Sequence, residues 1–152
     1  MKFGTAYGQA QCTFLSLSQY CSVKDGEIVT EAGFDAELLA REASRMRVAI
    51  PEFLNTLEAF AIPFVARVAD DDLGYQETSV AFCSAVKATL PALFEMRRMD
   101  YSGRYESTVK LFERWKNRID TETLGRNLKK AAEEYRVAAA KQEKVDSLGT
   151  ED

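Results

Sequence analysis

A chain of 152 residues has room for one sizeable core, and 46% hydrophobic with 29% charged side chains is the balance of a globular protein rather than a fibrous or disordered one. It contains no histidine, which excludes imidazole metal ligation and the Ser-His and Cys-His nucleophile pairs; any catalysis would rest on carboxylates, lysine, tyrosine or cysteine. The net charge of -4 hides an asymmetry, with 7 basic and 13 acidic residues over 1–96 against 13 basic and 8 acidic ones over 97–144, a dipole along the chain that suits self-association or an acidic partner.

The N-terminal stretch MKFGTAYGQAQCTFLSLSQYC has one lysine and a polar middle, a poor signal peptide. Phe14, Leu17 and Cys21 fit one face of a short helix. CSVKDGEIVT then predicts two short strands about an Asp25-Gly26 turn. Cys12, Cys21 and Cys83 form no CxxC pair and are odd in number, so the sequence predicts free thiols in a reducing, cytoplasmic setting, with Cys83 buried as a small hydrophobe.

From Phe34 the pattern turns helical. Asp35 is placed to cap a helix carrying Leu38, Leu39, Ala43, Met46 and Ala49 at three- and four-residue spacing. Pro51 suits the first turn of the next helix, IPEFLNTLEAFAIPFVARV, whose predicted core face is Leu54, Leu57, Ala61, Phe64, Val65 and Val68. Pro63 and the polar Asn55, Glu58 and Arg67 argue against this block as a membrane span, and no stretch reaches the roughly 18 uninterrupted apolar residues a span needs.

Asp70-Asp71-Asp72 with Gly74 reads as a polar turn and helix cap. It lacks the spaced ligands of a calcium loop, and no metal site is expected. A helix over Gln76–Met99 should present Val80, Cys83, Val86, Leu90, Leu93 and Phe94 on one side, with a kink near Pro91. After a break at Ser102-Gly103, Tyr105, Val109, Phe112, Trp115 and Ile119 stripe another helix. From Thr121 a high-propensity segment carries Leu124, Leu128, Ala131, Tyr135, Ala138, Gln142 and Val145 at alternating spacings of four and three, the spacing of a coiled-coil seam that fits docking of one face onto the bundle equally well. The expected organisation is a mainly α single-domain bundle over 1–145 with a small N-terminal hairpin. Its core lies in 34–119, its C-terminal helix in 121–145, and a disordered tail follows over 146–152.

Two groupings are candidates for chemistry. Asn55 and Glu58 flank the apolar face of the central helix, while Arg97 lies in line with the stripe of Cys83, Val86, Leu90 and Phe94. A carboxylate and a guanidinium aimed at one core are costly unless paired, so a Glu58–Arg97 pair is expected. Arg97, Arg98, Arg104, Lys110, Arg114, Lys116 and Arg118 form a basic stretch interleaved with Tyr101, Tyr105, Phe112 and Trp115. Because these aromatics occupy the core-facing stripe, a solvated or protein-facing surface is favoured over nucleic-acid binding.

The run RMRVAIPEFLNTLEAFAIPF resembles a bacterial family of helical domains, domain-of-unknown-function family 4760. In that comparison Leu54, Asn55 and Glu58 match an LN-x-x-E-like helix, Arg97 and Arg98 a helix ending in arginines, and Trp115-Lys116 the close of an aromatic helix. The likeness spans about residues 43–119. It implies a helical domain and brings no catalytic residues. Members often carry transmembrane helices ahead of this region, and none is read here.

The sequence therefore predicts a non-enzymatic protein-interaction or regulatory module, acting through a helical surface as a homodimer, without a cofactor. The alternative is a small-molecule or nucleotide-binding protein, with Asn55, Glu58, Arg97, Arg98 and Trp115 as candidate ligand-binding residues. A carboxylate-dependent metal hydrolase ranks third.

Overall fold

The computed structural model describes the backbone of residues 12–45, 49–100 and 103–148, with side chains except at Asp100 and beyond Gln142. The fold is mainly α, with a small antiparallel hairpin near the N-terminus and a long C-terminal helix. In order, the elements are α1 (12–18), β1 (Cys21–Lys24), β2 (Glu27–Thr30), α2 (Ala36–Arg45), α3 (Ala49–Val65), α4 (Asp71–Asp100) and α5 (Glu106–Leu148). Contacts divide the chain into two compact units, Met1–Lys116 and Asn117–Asp152.

The hairpin follows from its turn residues. Asp25 (φ 53°) and Gly26 (φ 78°) both take positive φ, the two-residue turn whose twist matches paired strands and which Asp-Gly readily adopts. The register pairs Cys21 with Thr30 and Lys24 with Glu27.

Helix starts are set by aspartates. Asp35 Oδ1 accepts from the Leu38 amide at 2.8 Å and begins α2; Asp70 Oδ1 accepts from the Leu73 amide at 3.0 Å and begins α4. The cap at Asp70 starts α4 five residues before the expected Gln76 and takes Gly74 into the helix. Gly74 is a packing residue: a β-carbon there would lie 2.3 Å from Cε1 of Phe64. Phe64 on α3 thus sits directly against the α4 backbone.

Helix α3 stops at Val65 because Arg67 takes the left-handed conformation (φ 59°), while the Val68 and Ala69 amides both donate to the Pro63 carbonyl. Val68, expected on the core face, lies beyond the helix end and is 83% exposed. Val80 is likewise exposed, because 100° per residue puts it about 120° around α4 from Val86. Ser79 is the inward residue on that turn; Tyr75, Phe82, Cys83, Val86, Leu90 and Leu93 complete the buried face. Helix α4 continues through Pro91.

One core cluster gathers Phe14, Leu17, Leu39 and Ala92, with Phe34 and Phe94 edge-to-face at 5.4 Å. A second is aromatic. Trp115, fully buried, meets Phe60, Phe64, Tyr75 and Phe82 at centroid distances of 5.2–6.2 Å. The span Asp71–Met99 of α4 is long and apolar enough to cross a membrane by length and composition, yet half of its most apolar window is buried among these clusters. A core helix acquires that composition by the same route.

The C-terminal helix expected over 121–145 is the second half of a longer one. Helix α5 is continuous from Glu106 to Leu148, three residues past Val145. The remainder of the expected tail, 149–152, lies outside the described residues, as do Met46 and Tyr101.

Candidate functional site

Helix α5 begins without a self-supplied cap. Tyr105 stands at the capping position in the left-handed conformation (φ 59°), and its phenol cannot reach back to the first-turn amides. The orphan donors of that turn are met from α3 instead. Glu58 Oε1 accepts from the Ser107 amide at 3.1 Å; Oε2 accepts from the Thr108 amide at 2.8 Å and from Thr108 Oγ1 at 2.7 Å. A carboxylate at a helix N-terminus also meets the positive end of the helix dipole. One turn earlier, Asn55 Oδ1 accepts from the Tyr105 hydroxyl at 3.2 Å. Burial pushes that phenol's pKa above its ordinary value, so it stays a neutral donor.

The expected pairing of Glu58 with Arg97 is replaced by two separate tasks. Arg97 leaves the C-terminal end of α4 with its side chain 14% exposed. Its Nη1 donates to the Gly26 carbonyl and its Nε to the Arg104 carbonyl, both at 3.0 Å. Two further charges hold the hairpin. Glu113 on α5 accepts from the Asp25 and Gly26 amides at 2.7 and 2.9 Å, and Lys87 Nζ donates to the Cys21 carbonyl. The turn's outward-facing peptide groups are thereby matched by one anion and one cation.

The remaining candidates are distributed elsewhere. Arg98 forms a two-pronged pair with the buried Glu95 at 2.8 and 2.9 Å, which pushes the guanidinium pKa up. Trp115 is sealed in the aromatic cluster, where its Nε1 donates to Asp71 Oδ1 at 3.1 Å; the same oxygen takes Arg114 Nη2 at 2.5 Å. Asn55 and Glu58 do share a cavity, of about 280 Å³, lined also by Pro51, Arg104 and Tyr105. Arg97, Arg98 and Trp115 are outside that lining. An apolar cavity of about 380 Å³ between α1, α3 and α4, lined by Phe14, Ile50, Leu54 and Ala88 among others, had no counterpart in the sequence reading.

The basic stretch is largely matched by acids. Lys110 pairs with Glu106, Arg114 with Asp71 and Arg118 with Glu122. Its aromatic members Tyr105, Phe112 and Trp115 are buried, with no face open to a stacked base. Among the described residues, no three acidic or cysteine side chains converge as a metal site would require. The three cysteines are free, Cys12 exposed and Cys21 and Cys83 buried.

The C-terminal half of α5 differs in kind. From Asn117 to Gln142 no residue is buried. Leu124, Leu128 and Tyr135 are 60%, 62% and 76% exposed. They lie with Ala131, Ala138 and Gln142 on the four-three spacing that forms a single stripe along a helix.

No protein family, curated protein or solved structure matches the chain.

Proposed function

We propose that this protein is a non-enzymatic helical interaction module that self-associates through the second half of α5. The observation that carries this reading is the exposed seam of Leu124, Leu128 and Tyr135, on a segment without one buried side chain. Single exposed leucines are ordinary on a protein surface; a run at heptad spacing on one helix is what a partner helix covers. Ala and Gln at the other seam positions make the pairing weak and reversible, as suits a regulatory contact. The free thiols support a reducing, cytoplasmic setting. Resemblance to family 4760 is compatible with a helical module and supplies no reaction.

A small-molecule site around Asn55 and Glu58 is the weaker reading. Both Glu58 oxygens and the Asn55 carbonyl are already committed to α5, so a ligand there would compete with a helix cap. Light scattering tests the preferred reading: wild-type protein is expected to show a dimer mass, and the variant Leu128→Asp/Tyr135→Asp a monomer mass with unchanged helix content. A variant mass equal to that of wild type would remove the seam from the association.

A further inference from the structure

The seam has two flanks, and they differ in chemistry. With Leu128, Tyr135 and Gln142 at a positions and Leu124, Ala131 and Ala138 at d, the e flank reads Gly125, Ala132 and Ala139. The g flank reads Asn127, Glu134 and Lys141. Between residues 124 and 142 one edge therefore carries no side chain larger than a methyl group, and the other carries opposite charges one heptad apart.

A parallel pair sets each g position against an e position of its neighbour. Glu134 would then face Ala139, and Asn127 would face Ala132, so the acid on that flank finds no base. It would also stack Tyr135 on Tyr135 and leave alanine against alanine at 131 and 138. An antiparallel pair instead sets g against g and e against e, and a against d. With Tyr135 opposite Ala138 of the partner subunit, Ala131 meets Gln142 of the partner subunit, so each of these two central layers sets a larger residue against an alanine. The same register brings Glu134 against Lys141 of the partner subunit on both sides of the two-fold axis, as an isologous contact requires. On the other flank Ala132 meets Ala139 of the partner subunit, where methyl groups let the backbones approach closely. Within its own helix Glu134 has only a loose contact with Lys130, 3.9 Å apart with both side chains more than two-thirds exposed, too weak to compete.

We propose that the occupant of this seam is a second copy of the same chain, running antiparallel and centred near residue 137, with two symmetric Glu134–Lys141 contacts fixing the register. The proposal rests on the self-association argued above and adds its orientation and specificity.

Sedimentation of the full-length chain at low salt tests it. Glu134→Lys alone places lysines against lysines, and Lys141→Glu alone places glutamates against glutamates. Each variant should dimerise roughly tenfold more weakly than wild type, since two exposed charge pairs are reversed at once. An equimolar mixture of the two variants should recover near-wild-type dimer, because both contacts in the mixed pair are again opposite in sign. Failure to recover on mixing, with wild type still dimeric, overturns the antiparallel register and leaves the self-association standing. A wild-type chain that is monomeric throughout overturns both.

Discussion

Glu58 on α3 caps the start of α5, accepting from the Ser107 and Thr108 amides. Its position on the border of the α3 apolar face was legible from helical spacing. Its task was not, because the need it meets, an uncapped helix start at Tyr105, is some fifty residues away and depends on a left-handed φ that no propensity announces. The energetic expectation changes accordingly. Glu58→Ala should cost about 1–2 kcal/mol, the scale of a lost helix cap, rather than the larger penalty of a stranded buried ion. Chemical denaturation of Glu58→Ala, Arg97→Met and the double variant checks this. The two losses should add within about 0.5 kcal/mol, since the groups share no bond; recovery of stability in the double variant would restore the direct pair.

Cys21 carries a second consequence at the same scale. Burial pushes its thiol from 9.0 up to about 11, against a smaller opposing pull from Lys87. The folded protein therefore holds this proton more tightly than the unfolded chain does. Stability from this source is complete below pH 9 and is lost as pH rises towards 11, at a limiting slope of roughly 1 kcal/mol per pH unit. Urea midpoints measured across that window should fall with pH in wild type and fall less steeply in Cys21→Ala. Parallel slopes would place the Cys21 thiol in contact with solvent.

Among the elements, the hairpin and the helices were readable because their signals are local: Asp25-Gly26 for the turn, Asp35 and Asp70 for caps, and apolar periodicity for α2 to α5. The late start expected for α4 turns on one residue. Gly74 reads locally as punctuation, whereas its missing β-carbon is what admits Phe64 against α4, and that contact is invisible without the neighbouring helix. Gly74→Ala should therefore destabilise by about 1–3 kcal/mol, overriding the gain of about 1 kcal/mol in intrinsic helix propensity. Pairing it with Phe64→Leu should return part of the loss in a thermal melt. A stabilised Gly74→Ala would show that Phe64 moves aside freely. The clasp of Lys87, Arg97 and Glu113 on the hairpin was equally hidden, because each charge is ordinary in its own helix and acquires a role only when the turn's peptide groups arrive beside it.

For the whole molecule, the contrast is between a first unit that buries a core while Leu15, Phe53, Leu73, Val80 and Met99 stay exposed on its surface, and a C-terminal segment from Asn117 to Gln142 in which no residue is buried. A self-association drawn together by the acidic 1–96 and basic 97–144 regions should weaken as the Debye length shrinks from about 10 Å at 0.1 M salt to about 3 Å at 1 M. The apolar stripe was legible from the four-three spacing of Leu124, Leu128 and Tyr135; its exposure was not, since docking back on the bundle satisfies the same spacing. Sedimentation equilibrium of the full-length chain beside one lacking residues 121–152 decides between these. The full chain should show a concentration-dependent dimer and the shortened one a monomer; a full-length chain that remains monomeric at every concentration, or a shortened chain that still dimerises, would contradict self-association through the seam.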